Sequence, residues 1–245
     1  FLAALLFGLS GCASLPADVE RKASSHTDRG GEPSRLARYA APYVRKHPEK
    51  SGFWLLGDGL EAYAARILLT EAADRTIDVQ YYLYHNDLTG RILTYRLLRA
   101  ADRGVRVRLL LDDMATKGID QPLATLDAHP NIEVRIVNPY ANRSFRGLET
   151  LSRFDTVTRR MHNKSFSVDN IMTIVGGRNV GDEYYSIHED VNFGDMDVLA
   201  VGPAAAEVGN QFDLYWNSEL AYPMQSLAGS PGDLGTLRSD LREYN

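Results

Sequence analysis

The sequence predicts an α/β fold, a mixed β-sheet flanked by helices. From Phe53 onward, short runs of β-branched and aromatic residues alternate with stretches of helical period. That alternation is the mark of a layered α/β sheet. The 245 residues are 44% apolar and 24% charged, an ordinary globular composition with room for one large domain or two small ones. A single Cys excludes an internal disulfide framework and a multi-Cys zinc site.

The elements follow in order. Phe1 to Leu9 is apolar or small throughout, and no charge precedes Asp18. Residues 1–11 read as the hydrophobic part of a secretory signal whose charged start is missing, too short to span a bilayer. Leu9-Ser10-Gly11-Cys12, then Ala13-Ser14, resembles a bacterial lipobox in which Cys12 becomes the lipidated first residue. The alternative is an ordinary signal with a chance Cys. The lipobox implies a protein of the bacterial cell envelope, anchored to a membrane on its periplasmic side. Residues 12–52 are polar, with Gly30-Gly31, Pro33, Pro42 and Pro48, and read as a tether. Within it a short helix is expected from the N-cap Ser34 to Ala41, stopping before Pro42.

Packed structure is expected from Phe53. Leu60, Ala64, Ile67, Leu68 and Ala72 repeat at helical spacing and predict a helix over Gly59 to Ala73. Ile77 to Tyr84 reads as a strand, Leu88 to Asp102 as a helix closed by Arg103-Gly104, and Val105 to Leu111 as a buried strand ending in Asp112-Asp113. A helix over Gln121 to Ala128 and a strand over Ile132 to Val137 come next. Asn138 to Arg160 has no period, and a connection that long is often functional. Ser165 to Val168 and Ile171 to Val175 read as strands joined by an Asp169-Asn170 turn, a hairpin. Gly181 to Tyr185 reads as a short helix or turn, Asp197 to Val201 as a strand and Pro203 to Leu220 as a helix.

Charge narrows the function. A net charge of −5 does not suit a general nucleic-acid coat. The basic residues are 22 Arg and 5 Lys. Codon usage accounts for that bias, and so does phosphate recognition, which favours the planar guanidinium. Between Arg143 and Lys164 lie six cationic residues against Glu149 and Asp155. This stretch reads as a solvated loop or as a rim that attracts phosphate.

The chemistry concentrates in His162-Asn163-Lys164-Ser165-Phe166-Ser167-Val168-Asp169 and Gly176-Gly177-Arg178-Asn179. His162 and Lys164 are two apart on an extended segment and share a face. Gly177 and Asn179, beyond the hairpin, can return beside them. A Lys repels a metal but suits an anionic phosphodiester. Lys164 and Asn179 can bind phosphoryl oxygens, and a neutral His162 can attack phosphorus. Gly177 leaves room for a phosphate to approach the backbone. No P-loop, dinucleotide fingerprint or HExxH motif is present. Random placement of these residue types gives roughly 0.01 matches to H-x-K-x4-D.

H-x-K-x4-D, then six residues, then G-G-x-N resembles the signature of the phospholipase D superfamily. Asp58-Gly59, Asp78-Val79-Gln80-Tyr81-Tyr82, Asp87-Leu88-Thr89-Gly90, Ala100 to Val105, Asn138-Pro139, Arg160 to Phe166, Gly176 to Tyr185 and Gly202-Pro203 resemble its cardiolipin synthase C-type branch. The likeness runs from about Phe53 to Trp216. It implies a phospholipase D-like layered sandwich over 53–220, one lobe of a two-lobed fold. On that reading 221–245 begins the connection to the second lobe.

The resemblance also implies roles. His162 is the nucleophile that holds a phosphohistidine. Lys164 and Asn179 hold the phosphate, with Gly177 and Arg160 around it. Asp169 completes the catalytic signature as an orienting residue set back from phosphorus. Asp195, by its spacing to Gly202-Pro203, orients a His, with Asp197 as the fallback. No metal or organic cofactor is implied. A second His must protonate the leaving alcohol, yet His85, His129 and His188 lack Lys two positions on. The second motif is therefore expected in cis beyond Asn245 or in trans from a second chain. The expected activity is phosphatidyl transfer on phospholipid substrates at a membrane, in the manner of cardiolipin synthase. Alternatives are a nuclease of the superfamily, which the acidic charge disfavours, and a catalytically incomplete phosphate-binding half.

Overall fold

In a computed structural model the described residues are 14–27, 32–143 and 160–244. The signal-like segment, Cys12, Gly30-Gly31 and most of the basic stretch lie outside them. Among the described residues no helix is long and apolar enough to cross a membrane.

One mixed sheet of eight strands runs through the domain in the order β1-β7-β6-β5-β2-β3-β4-β8. The strands are Gly52–Leu56 (β1), Thr76–Tyr81 (β2), Arg106–Asp112 (β3), Ile132–Val137 (β4), Ser165–Val168 (β5), Met172–Gly176 (β6), Asp197–Val201 (β7) and Ala221–Pro223 (β8). β2, β3 and β4 are parallel to one another, and every other pairing is antiparallel. The parallel strands are joined through the helices Leu88–Asp102 (α3) and Asp120–Asp127 (α4), as parallel crossovers require. Arg35–Lys46 (α1), Gly59–Ala72 (α2), Pro203–Trp216 (α5) and Leu234–Arg242 (α6) complete the helices. The expected α/β class, mixed sheet and flanking helices are all present.

Alternation along the central strands builds two unlike faces. Ile77, Val79 and Tyr81 of β2, Val107, Leu109 and Leu111 of β3, and Val134 and Ile136 of β4 point into one large apolar core with buried residues of α2, α3 and α4. The intervening positions, Asp78, Gln80, Arg108 and Arg135, are buried on the other face, under α5. There Arg108 makes a two-pronged pair with Asp78 (2.7 and 2.8 Å) and a third bond to Asp213 (2.8 Å). The guanidinium groups of Arg108 and Arg135 also lie over the Trp216 ring, at 5.3 and 4.4 Å. Buried arginines are tolerated because carboxylates, carbonyls and aromatic faces meet them together.

Several boundaries differ from expectation, and α5 ends at Trp216, four residues before Leu220. α1 starts at the Ser34 cap, whose hydroxyl accepts from Ala37 N–H, but it continues through Pro42 to Lys46. Pro42 costs one bond, to the carbonyl of Arg38, and Arg38 is exposed, so water can take that place. Phe53-Trp54-Leu55-Leu56 forms the edge strand β1, and only Leu56 is buried. β2 stops at Tyr81, three residues short, because the N–H of Leu83 turns to the side chain of Asn179.

Both flanking segments belong to the packed domain. Arg21 donates to the carbonyls of Ala221 and Glu219, and His26 bonds Asp213 through both its N–H and its ring (2.7 Å). Residues 21–26 are thus fastened along α5, although the sequence reads as tether there. β8 pairs with β4, and α6 packs on α3 and α4.

The hairpin turn at Asp169-Asn170 has both residues in the left-handed region (φ 54° and 57°), and Ile171 N–H closes it on the carbonyl of Val168; Val168 pairs with Met172, so the connection is three residues long and not the expected two. The Asp169 carboxylate accepts from the N–H groups of Asp74, Arg75 and Thr76 and so ties this turn to the start of β2. We predict that Asp169→Ala lowers the unfolding free energy by about 2–3 kcal/mol, since buried donors lose a charged acceptor. Asp169→Asn, which tolerates the left-handed turn, should lose less. Urea unfolding monitored by circular dichroism checks both.

Candidate active site

The signature residues gather at one end of the sheet. β5 enters there just after His162 and Lys164, and the antiparallel β6 leaves there just before Gly177 and Asn179. β7, which pairs Asp197 with Gly176, starts at the same end, just after Asp195. β2, which pairs Gln80 with Ser165, finishes there and delivers Tyr82. The carboxyl ends of the parallel strands β2, β3 and β4 therefore share this edge, the usual place for chemistry in α/β sheets.

Lys164 is buried and His162 beside it is exposed. The ammonium donates to the carbonyl oxygen of His162 (2.8 Å) and lies 3.2 Å from its Nδ1. Tyr82 lies under both, its ring 4.7 Å from the imidazole and 5.5 Å from Lys164 Nζ. Burial pushes the Lys164 ammonium below the usual lysine range, and the negative charge of Asp195 partly opposes that shift. Asn179 is buried, with Oδ1 accepting from Leu83 N–H (3.0 Å) and Nδ2 donating to the Tyr184 hydroxyl (2.9 Å). One N–H of that amide remains uncommitted to these partners.

Asp195 and Asp197 separate clearly. The Asp195 carboxylate packs on Gly177, where an added Cβ would come within 2.0 Å of Oδ1. Asp197 is fully buried and is bonded to Arg66 (2.8 Å) and to the N–H of Arg178 (3.3 Å). Asp169 lies at the far end of β5, four strand residues from Lys164, and takes no part in this cluster. Arg160 is held by one arm: its Nη1 donates to Asp112 and to the carbonyl of Asn138, and its guanidinium stacks on Tyr140 at 4.7 Å. Its Nη2 is buried with no hydrogen-bond partner among the described residues.

Asp112 was not singled out by its residue type. Its carboxylate, at the end of β3, accepts from Met161 N–H (2.9 Å), Arg160 (3.2 Å) and Met114 N–H (2.9 Å). It clamps the residue directly before His162. Gln80 adds a second clamp by donating to the Met161 sulfur. The Asx pair that ends β3 was the only signal, and its partner is a backbone group 49 positions on.

Residues 67–216 match the family described as cardiolipin synthase, PLD-like domain. The chain belongs to this family. Over 197 residues this PLD-like domain is 47% identical to cardiolipin synthase C of Escherichia coli (strain K12), covering 80% of this chain and 42% of that protein. The chain thus spans about two fifths of the length of the curated relatives it matches. Phosphatidylserine synthase of Haemophilus influenzae aligns with a TM-score of 0.52 at 16% identity, over 86% of this chain and 47% of that one. Nuc from Salmonella typhimurium, a phospholipase D family member, aligns with a TM-score of 0.50 at 14% identity, over 71% of this chain and 98% of that one. At such identities these two structures establish a shared fold for the PLD-like domain and nothing further.

Two predictions follow from the geometry. Gly177→Ala should displace Asp195 from Lys164 and lower kcat at least tenfold with little change in Tm, read from steady-state rates and thermal melts. Burial raises the Asp112 carboxyl to about 6, against the lowering influence of Met161 N–H and Arg160. The folded state then holds this proton more tightly than the unfolded chain does. Its stabilising contribution is complete below the unfolded value of about 4 and is lost as pH rises to about 6. A carboxyl-carbon NMR titration should place the Asp112 midpoint near 6; an ordinary value near 4 would contradict this.

Proposed function

We propose that this chain carries the nucleophilic half of a phosphatidyltransferase of cardiolipin synthase type, acting on phospholipids at a membrane. What supports this most is the convergence of His162, Lys164, Asn179 and Asp195 at one sheet end in a PLD-like domain. In the reaction, an imidazole nitrogen of His162 attacks phosphorus. The bond from phosphorus to the leaving alcohol breaks, and a second His gives that alcohol its proton. An acceptor alcohol, or water, then attacks the phosphohistidine, loses its proton to the same second His, and frees His162. Lys164 and the uncommitted N–H of Asn179 hold the non-bridging oxygens as charge builds. Asp195, packed on Gly177, keeps a negative charge beside Lys164 and so keeps the ammonium protonated.

The second His comes from a second motif, either in cis in a longer chain or in trans from a second copy. Lipidation of Cys12 would hold the enzyme at the membrane of the cell envelope, on the periplasmic side, where phospholipids are concentrated. No metal or organic cofactor enters the scheme.

Quenching turnover of the full-length enzyme on phosphorus-labelled phosphatidylglycerol, under conditions that spare a phosphoramidate bond, tests the reading. Label should appear on the protein in wild type and be absent from His162→Ala, with lipid turnover reduced by a factor of about 10³ or more. Cleavage of single-stranded DNA by the same preparation, without lipid turnover, would move the assignment to a nuclease.

A further inference from the structure

The sequence assigns no metal ligand to this chain, but the fold brings three donor side chains together next to the Asn179 arm. His85 follows Tyr84, which bridges to Val180, Asp87 caps α3, and Glu183 sits in the short 3-10 turn Asp182–Tyr184. One donor atom from each lies within 4.8 Å of the other two, and all three residues are half-buried. Nδ1 of His85 is 3.2 Å from Oε1 of Glu183 and 3.9 Å from Oδ2 of Asp87. An ion with bonds of about 2.0–2.2 Å holds neighbouring donors roughly 3.0–3.6 Å apart. The first pair already has that spacing, and the second is within a small side-chain rotation of it.

Two further observations point to an occupant. Asp87, Asp182 and Glu183 bring three carboxylates to this corner, and among the described residues neither Asp87 nor Glu183 pairs with an Arg or Lys. The cluster also closes over Gly181, where a Cβ would come within 2.7 Å of Glu183 Oε2 and 2.9 Å of His85 Nδ1. Only glycine lets both donors converge there. The frame is rigid, since His85 N–H bonds Val180, Asp182 N–H bonds Asp87 Oδ2, and Gly90 N–H bonds Asp87 Oδ1. His188 stands apart, with its Nδ1 accepting from its own exposed loop.

We propose that His85, Asp87 and Glu183 form a divalent-cation site suited to Zn²⁺. One imidazole and two carboxylates are ligands that zinc accepts, with water completing the shell. The site joins the two segments that hold Asn179. Leu83, two residues before His85, donates to Asn179 Oδ1, and Tyr184, next to Glu183, accepts from its Nδ2. The ion is a positioning element for that amide and does not touch phosphorus.

Isothermal titration of the metal-stripped full chain with ZnCl₂ tests this directly, without reference to activity. The expected result is one ion per chain, with binding at least tenfold weaker in both His85→Ala and Glu183→Gln and unchanged in His188→Ala. Co²⁺ in place of Zn²⁺ should give a visible absorption band that His85→Ala abolishes. Thermal melts establish that each variant is folded, and the near-isosteric Glu183→Gln serves alone if His85→Ala is not. Failure of the wild type to bind one equivalent would overturn the proposal and leave His85 and Glu183 as a simple hydrogen-bonded pair. Wild-type affinity in the folded variants would overturn it equally.

Discussion

The buried ion pair between Arg66 and Asp197 is the constraint on which the sheet end that gathers His162, Lys164 and Asn179 depends. Arg66 comes from α2, Asp197 from the first residue of β7, and both are almost fully removed from water. Arg66 also donates to the Tyr81 hydroxyl (2.8 Å), at the last residue of β2. Asp197 in turn accepts from the N–H of Arg178, whose side chain reaches the carbonyls of Leu56 and Gly57. One pair thereby joins α2, β1, β2, β6 and β7. Each residue it fixes is adjacent to a site residue: Tyr81 to Tyr82, Arg178 to Gly177 and Asn179. Removing one partner would strand a charge in the interior, at a cost of about 3–5 kcal/mol.

Around this frame the domain separates two electrostatic tasks. Arginines under α5 and beside Asp197 are saturated with carboxylates, carbonyls and rings, and they serve the fold. Lys164 is the exception, a buried cation whose hydrogen bonds go to the neighbouring His162. A desolvated cation short of anionic partners is a receptor for an anion, and here it sits beside the exposed imidazole of His162. The fold thus withholds full neutralisation at Lys164 while granting it to the arginines under α5 and beside Asp197.

How much of this was legible from sequence depends on the range of each interaction. β4, β5, β7 and α3 were read with their exact bounds, because each is a patterned run closed by a cap or turn residue such as Asp87 or Asp169. β1 was missed because Phe53, Trp54 and Leu55 are all exposed, so burial imposes no alternation. His162, Lys164, Gly177 and Asn179 were legible as a motif. The clamp at Asp112 was not, since its backbone partner lies 49 positions on. The separation of Asp195 from Asp197 needed coordinates as well: two carboxylates two positions apart have opposite surroundings, one against Gly177 and one against Arg66.

The fastening of residues 21–26 along α5 bears on how far the domain could travel from a lipid carried on Cys12. Were Cys12 held in a bilayer, nine Cα-to-Cα steps would separate it from Arg21, and at about 3.4 Å per step the leash could not exceed roughly 30 Å. That is about the thickness of a hydrocarbon core. Such a leash would hold the domain within about its own diameter of the headgroups, so lipids would reach it by lateral diffusion within a patch scarcely wider than the protein itself.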